Sequence, residues 1–353
     1  MKKRKLFTKL LCVISIFSII YVLGGYAAGH IVFHTMFDKH AADLDKVKFE
    51  YKYLYKIADD YPSLSNPKEF YIEQNGFKLS SSLYEKENSK GLFILVHGLN
   101  SSSKSEFSMF TSYLLEKNYS VLTFDLPGHG KSSGDILGFS NSVYALNTVI
   151  NYANTNIKIP NSNINLLGYS LGAYAVTAVT NFNVNVNKVI SFAGFNSSYE
   201  EVKESSLFKA GWIANLGLFT VKWALLNREK NDIYLSCINA IRNKKDSISY
   251  LVFQDEYDSV VPLSASTYGK LSENEINAKK VFLSKRDHHN LFFSDNALEK
   301  QLKIRNFYNQ NIAPYGGIEK VGEEVRNYFL SLINKDQTSE MNLSIKESLN
   351  TFI

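Results

Sequence analysis

Short apolar runs alternate with longer stretches of helical periodicity through most of this chain. The runs fall at 92–96, 120–124, 163–167, 188–192, 249–254 and 280–283, and Gly, Pro, Asn or Asp lie close to most of them. Apolar runs this short, without polar alternation, predict strands buried on both faces. Helical segments between them predict a doubly wound, mostly parallel sheet. Upstream, Phe70-Tyr71-Ile72 and Phe77-Lys78-Leu79 flank Asn75-Gly76, the signal of an antiparallel hairpin. The alternation breaks once. More chain lies between 193 and 249 than a single crossover needs, which leaves room for an inserted segment at about 195–247. Inside it Trp212, Leu216, Phe219, Trp223 and Leu226 recur at four-three-four-three spacing, an apolar helix face.

The N-terminal pattern is different. A basic segment, 1–9, with Lys2, Lys3, Arg4, Lys5 and Lys9 precedes an apolar stretch at 10–33 that carries no acidic or strongly basic residue. About 20 helical residues span a hydrocarbon core. The expectation is therefore one transmembrane helix, its basic end cytoplasmic and the remaining chain extracellular. A cleaved signal peptide is the alternative, with Gly25-Tyr26-Ala27 as a tolerable processing site and a secreted product. Beyond it the chain divides into a charged linker at 34–67, a domain at 68–335 that closes on a helix near 321–334, and a polar, mobile tail at 336–353.

Composition narrows the partners. The 353 residues are 45% hydrophobic and 21% charged, ordinary for one large globular domain once the anchor is set aside. A net charge of +5, part of it in the basic segment, gives no case for nucleic acid. The two cysteines, Cys12 and Cys237, cannot staple the domain internally. His30, His34 and Asp38 share one helix face, where they read as an interfacial polar stripe. No H-E-x-x-H, cysteine cluster or phosphate loop appears, so no metal and no cofactor is expected. Oligomeric state is not written in the sequence.

The chemistry centres on Gly168-Tyr169-Ser170-Leu171-Gly172. This G-x-S-x-G follows a predicted strand and opens a predicted helix, the context in which such a serine is held outward on a strained turn. Ser170 reads as a nucleophile, which requires a base, an orienting acid and donors for the developing oxyanion. Asp255, Glu256 and Asp258 follow one later strand, and His288 and His289 follow the next. Ser, then Asp, then His is the chain order of an α/β-hydrolase. His97 and His129 sit in tight turns, where their rings read as loop braces.

Four segments carry a resemblance: Leu95-Val96-His97-Gly98-Leu99, Asp125-Leu126-Pro127-Gly128-His129-Gly130-Lys131-Ser132, the serine turn, and Asp258-Ser259-Val260-Val261-Pro262. Over roughly 68–335 the chain resembles the serine α/β-hydrolases, specifically the lysophospholipase, monoacylglycerol lipase and serine aminopeptidase-like group. The resemblance implies an α/β-hydrolase fold with an inserted cap. It places the acid at Asp258 and the base at His289, with His288 as the alternative. It assigns the oxyanion donors to the backbone N–H groups of Leu99 and Leu171. It further implies a small-molecule or lipid ester as substrate, and the apolar stripe between 193 and 249 reads either as packing on the domain core or as cap residues Trp212, Phe219 and Trp223 lining an acyl pocket. Peptidase, amidase or acyl-transfer chemistry with the same triad is the second reading, and a non-catalytic binding protein on this fold the third.

Overall fold

The computed structural model describes residues 2–37, 48–74, 76–136, 138–160, 163–244, 247–272, 277–283 and 291–353; side chains are excluded at 2–10, 28, 30–37 and 74. The hairpin forms β1 (Lys68–Gln74) and β2 (Phe77–Tyr84). The six apolar runs form β3 (Leu92–Val96), β4 (Ser120–Phe124), β5 (Ile164–Tyr169), β6 (Lys188–Phe192), β7 (Ser249–Asp255) and β8 (Ala278–Leu283). They join one sheet in the order β1-β2-β4-β3-β5-β6-β7-β8. β1 and β2 pair antiparallel, β2 runs antiparallel to β4, and every later pairing is parallel.

Buried runs without alternation require cover on both faces, and the core divides accordingly. Ile94, Leu122, Leu166, Val189 and Val252 point to one side, against α4 (Ser140–Asn156) and α5 (Leu171–Ala178), which follow α1 (Lys2–Phe37), α2 (Ser103–Glu106) and α3 (Ser108–Glu116) in the chain. Phe93, Leu95, Val121, Ile190 and Phe253 point to the other, against Phe110 and Leu114 of α3. The period-two alternation of side chains along each strand does the sorting.

The segment between β6 and β7 holds α6 (Ser198–Ala210) and α7 (Leu218–Glu229), called the cap below, with a 3-10 stretch at Gly211–Leu216 between them, and α8 (Cys237–Asn243), whose Cys237 and Ile241 are buried in the first core face. Gly211 (φ +60°) and Gly217 bracket that stretch, so the four-three spacing of aromatic residues does not lie on one continuous helix. Glu229, the last residue of α7, fixes the cap to the sheet-side layer. Its buried carboxylate accepts the Phe139 and Ser140 N–H groups at the start of α4 (3.1 and 3.0 Å) and the Ser198 hydroxyl (2.8 Å). Those N–H groups belong to a helix N-terminus, which has no intrahelical partners for them.

Two expectations are corrected. The segment at 336–353 is not a mobile tail. After α9 (Thr267–Lys270), α10 (Asp295–Asn311) and α11 (Glu323–Leu332), the chain forms α12 (Lys335–Thr338) and α13 (Leu343–Phe352). Ile345 and Leu349 of α13 are fully buried in the second core face. The Tyr113 hydroxyl donates to Asn350, and Lys188 Nζ donates to the Phe352 carbonyl. Nor is the described part of the expected linker merely a spacer: Tyr51, Tyr53, Leu54, Ala58 and Leu64 are all buried. Residues 38–47 lie outside the described set.

The expected transmembrane segment lies within α1, a continuous helix. Among the described residues, no helix is long and apolar enough to cross a membrane. Ile14, Phe17, Ile20 and Leu23 are more than half exposed. At its other end α1 packs on α7, where a Cβ on Gly25 would lie 2.6 Å from the Thr220 methyl. Tyr21 meets Phe219 at 5.5 Å and Tyr26 meets Trp223 at 4.9 Å between ring centres.

Candidate active site

Ser170 sits where β5 ends and α5 begins, with φ 55° and ψ −116°. A non-glycine residue held at positive φ is strained, and such strain persists only where the surroundings over-determine it. Here the surroundings are backbone. A Cβ on Gly168 would lie 2.2 Å from the Gly172 carbonyl oxygen, and one on Gly172 would lie 1.7 Å from the Val96 carbonyl oxygen. Both glycines are therefore fixed by close approach, and the serine between them is presented at the carboxyl end of the sheet. The Ser170 N–H donates to the Phe192 carbonyl at 2.8 Å, tying the turn to the neighbouring strand.

The turn after β3 lies directly against it, since a Cβ on Gly98 would be 3.4 Å from Ser170 Cβ. His97 is fully buried and braces that turn: Nδ1–H donates to the Gly98 carbonyl (2.7 Å) and Nε2 accepts the Leu126 N–H (2.9 Å). Burial pushes the imidazole down to about 4, which keeps it neutral. His129 plays a matching part, with Nδ1 against the Pro127 carbonyl and Nε2 accepting the Asn100 N–H. Asp125 gathers the rest of this motif, accepting the Ser103 N–H at 2.9 Å and the Lys131 N–H at 3.0 Å. Leu99, Ser170 and Leu171 line one cleft of about 380 Å³. Leu171 is the first residue of α5, where helix geometry leaves N–H groups without intrahelical partners.

Of the three acidic candidates, Asp258 is buried and Glu256 is exposed. Asp258 Oδ1 accepts the Val260 and Val261 N–H groups at 2.8 and 2.9 Å, and both of those residues line the Ser170 cleft. Asp255 is also buried, but its Oδ1 turns back on the Tyr257 N–H (2.9 Å). His288 and His289 lie outside the described residues. The ends of their segment do not. Leu283 is in register with Asp255, beside the acidic loop, and Phe292 packs on Tyr169 at 4.8 Å, beside the serine turn.

The cap aromatics are not brought to the cleft. Trp212 is 73% exposed, and Phe219 and Trp223 face Tyr21 and Tyr26 of α1; none of the three lines the space above Ser170. Its walls are instead Phe139, Leu171, Phe195, Val260 and Val261, with Lys48, Tyr51, Glu106 and Glu201 as polar members. Glu106 Oε2 accepts the Gly98 N–H at 2.6 Å, and burial raises its carboxyl to about 7. Sequence reasoning missed these polar residues. Glu106 and Glu201 each stand in a short helical run of ordinary composition, with no motif to set them apart. No group of three or more His, Cys, Asp or Glu residues that could hold a metal ion occurs among the described residues, and the side chains of His30, His34 and Asp38 lie outside them.

A family match runs from β3 into β7, takes in the serine turn, and ends just before the Asp258 loop. Residues 87–254 match the family described as serine aminopeptidase, S33 (Hydrolase_4). The fold is that of the α/β-hydrolases. No curated protein matches this chain. Among solved structures it is similar to an esterase from Pyrococcus furiosus (18% identity over 62% of this chain and 82% of that one, TM-score 0.46). It is also similar to an esterase from Butyrivibrio proteoclasticus with ferulic acid bound (18% identity, 74% and 98%, TM-score 0.48). A third similarity is to acetyl xylan esterase 1 from Thermoanaerobacterium (18% identity, 70% and 85%, TM-score 0.49).

Proposed function

We propose that the protein is a serine hydrolase that cleaves carboxylic esters through an acyl-enzyme. The observation that carries this reading is Ser170 itself, strained at φ 55° between two glycines that the backbone admits only as glycine, on the wall of a cleft. Ser170 Oγ attacks the carbonyl carbon while His289 takes its proton, and Asp258 holds the imidazole in the productive tautomer. Charge on the carbonyl oxygen is met by the Leu99 and Leu171 N–H groups. The ester C–O bond then breaks, and the alcohol departs with the proton from His289. A water attacks the acyl carbon by the same route, and the carboxylic acid leaves.

The anchor and its orientation belong to the same proposal and rest on sequence. The basic segment 1–9 stays cytoplasmic, 10–33 is held in the membrane, and the hydrolase domain works outside the cytoplasm. The exposed apolar side chains of α1 support this, because a helix that is apolar all round is poorly matched to water.

Fluorophosphonate labelling combined with ester turnover tests the chemistry. Ser170→Ala removes both, and a fully labelled alanine variant would mean that another residue is the nucleophile. His289→Ala loses more turnover than His288→Ala; the reverse order transfers the base to His288. A panel that also holds aminoacyl amides decides between ester and amide chemistry.

A further inference from the structure

Among the described residues, Glu201, in the first turn of α6, is the one side chain lining the cleft that has a buried polar atom without a hydrogen-bond partner. The residue is 8% exposed and lines the same space as Ser170. Its Oε1 lies 2.8 Å from Ser205 Oγ, and that hydroxyl also lies 3.0 Å from the Val260 carbonyl oxygen. Its Oε2 is buried with no hydrogen-bond partner. A buried polar atom without a partner carries a penalty that something must relieve.

The chemistry of the neighbours says what kind of group relieves it. Ser205 has one hydroxyl proton, and the Val260 carbonyl can only accept. All three groups are satisfied when Ser205 donates to Val260 and a protonated Glu201 donates from Oε1 to Ser205 Oγ. Oε2 is then a neutral carbonyl-type acceptor. Burial, with Asp258 nearby, raises this carboxyl to about 8, and Lys209 opposes that only in part. The neutral acceptor therefore meets a neutral donor. A cation is disfavoured further by Lys48, whose ammonium lies in the same wall and donates to the Asn100 carbonyl.

We propose that Glu201 Oε2 accepts a hydrogen bond from a hydroxyl group of the substrate, so that the cleft selects hydroxylated esters over their unsubstituted counterparts. This rests on the ester-hydrolase reading and gives it a substrate class.

The test compares kcat/KM within matched pairs on the full-length protein. Glyceryl 1-monobutanoate against propyl butanoate probes the alcohol side, ethyl 3-hydroxybutanoate against ethyl butanoate probes the acyl side, and ethyl 3-aminobutanoate supplies the ammonium counterpart. The wild type favours the hydroxylated member of at least one pair by roughly tenfold, the worth of one hydrogen bond in a water-excluded site. Glu201→Leu brings that ratio to near one. Glu201→Gln, which keeps size and acceptor, retains it and guards against loss through misfolding. A wild-type ratio near one in both pairs overturns the inference, as does a Glu201→Leu variant with an unchanged ratio. A preference for the amino ester that Glu201→Gln abolishes also overturns it, in favour of a carboxylate–ammonium contact. Fluorophosphonate labelling of Ser170 accompanies each assay: absent labelling is the failure of the hydrolase reading, and labelling with no discrimination is the failure of this inference alone.

Discussion

Single carboxyl groups give this molecule an unusual response to pH. Glu106, Glu201 and Glu229 are all held above the ordinary carboxylate range, in each case chiefly by burial. A carboxyl with a raised native pKa binds its proton more tightly folded than unfolded. Its contribution is therefore fully present below the unfolded value and is lost as pH rises to the folded value. For Glu201 the window runs from 4.5 to about 8. Glu201→Gln should be close to neutral for stability at pH 5 and should stabilise at pH 8 by on the order of 1–4 kcal/mol. Thermal melts at the two pH values check this, and an equal difference at both would remove Glu201 as the source. The same residue shows where sequence reading stops. Ser197-Ser198-Tyr199-Glu200-Glu201 reads as an ordinary helix start, and Ser197 does cap α6 by accepting the Glu200 N–H. Nothing in that pattern separates the glutamate that supports the cap from the one that faces the cleft. Ser170 was legible because its glycines are demanded by contacts within the strand–turn–helix unit and its two neighbours.

At the scale of elements, strands read well and amphipathic ends read poorly. β3, β4 and β6 occupy the residues their apolar runs mark out, because a strand covered on both faces carries no regular polar alternation to blur its limits. In α13 the apolar positions Leu343, Ile345, Leu349 and Phe352 are diluted among polar ones, and only tertiary contact shows that two of them are fully buried. Leu349→Ala is expected to cost about 2–5 kcal/mol, as for other buried leucines. Glu347→Ala, on the exposed side of the same helix, should stay within about 0.5 kcal/mol. Urea melts compare the two, and a neutral Leu349→Ala would restore the mobile-tail reading. The cap aromatics follow the same logic in reverse, since their spacing marked a face without saying what the face meets. Because Trp212 and Trp223 do not line the cleft, changing either to alanine should leave the acyl chain-length profile as in the wild type. Loss of a medium-chain preference in either variant would return them to the substrate pocket.

At the scale of the whole molecule, its place in the cell turns on the fate of the N-terminal segment. A retained 10–33 segment predicts that the protein pellets with membranes and resists carbonate and high salt, and that protease added outside wall-stripped cells digests the domain. A mature chain beginning at Ala28 would make the enzyme secreted, and protection from external protease would reverse the orientation. α1 touches the body of the protein through α7 of the cap, so an anchored α1 would set the height and tilt of the cap above the bilayer.

Glu229 constrains how anything reaches Ser170. Its carboxylate is a rivet through two plates, gripping the root of the cap at Ser198 and the leading end of α4 at Phe139 and Ser140. Lifting the roof along that seam would strip three donors from the one carboxyl at once. Parting the seam therefore costs three hydrogen bonds together. Because Phe139 lies both on that seam and on the wall of the Ser170 cleft, loosening the rivet is expected to reshape the cleft itself.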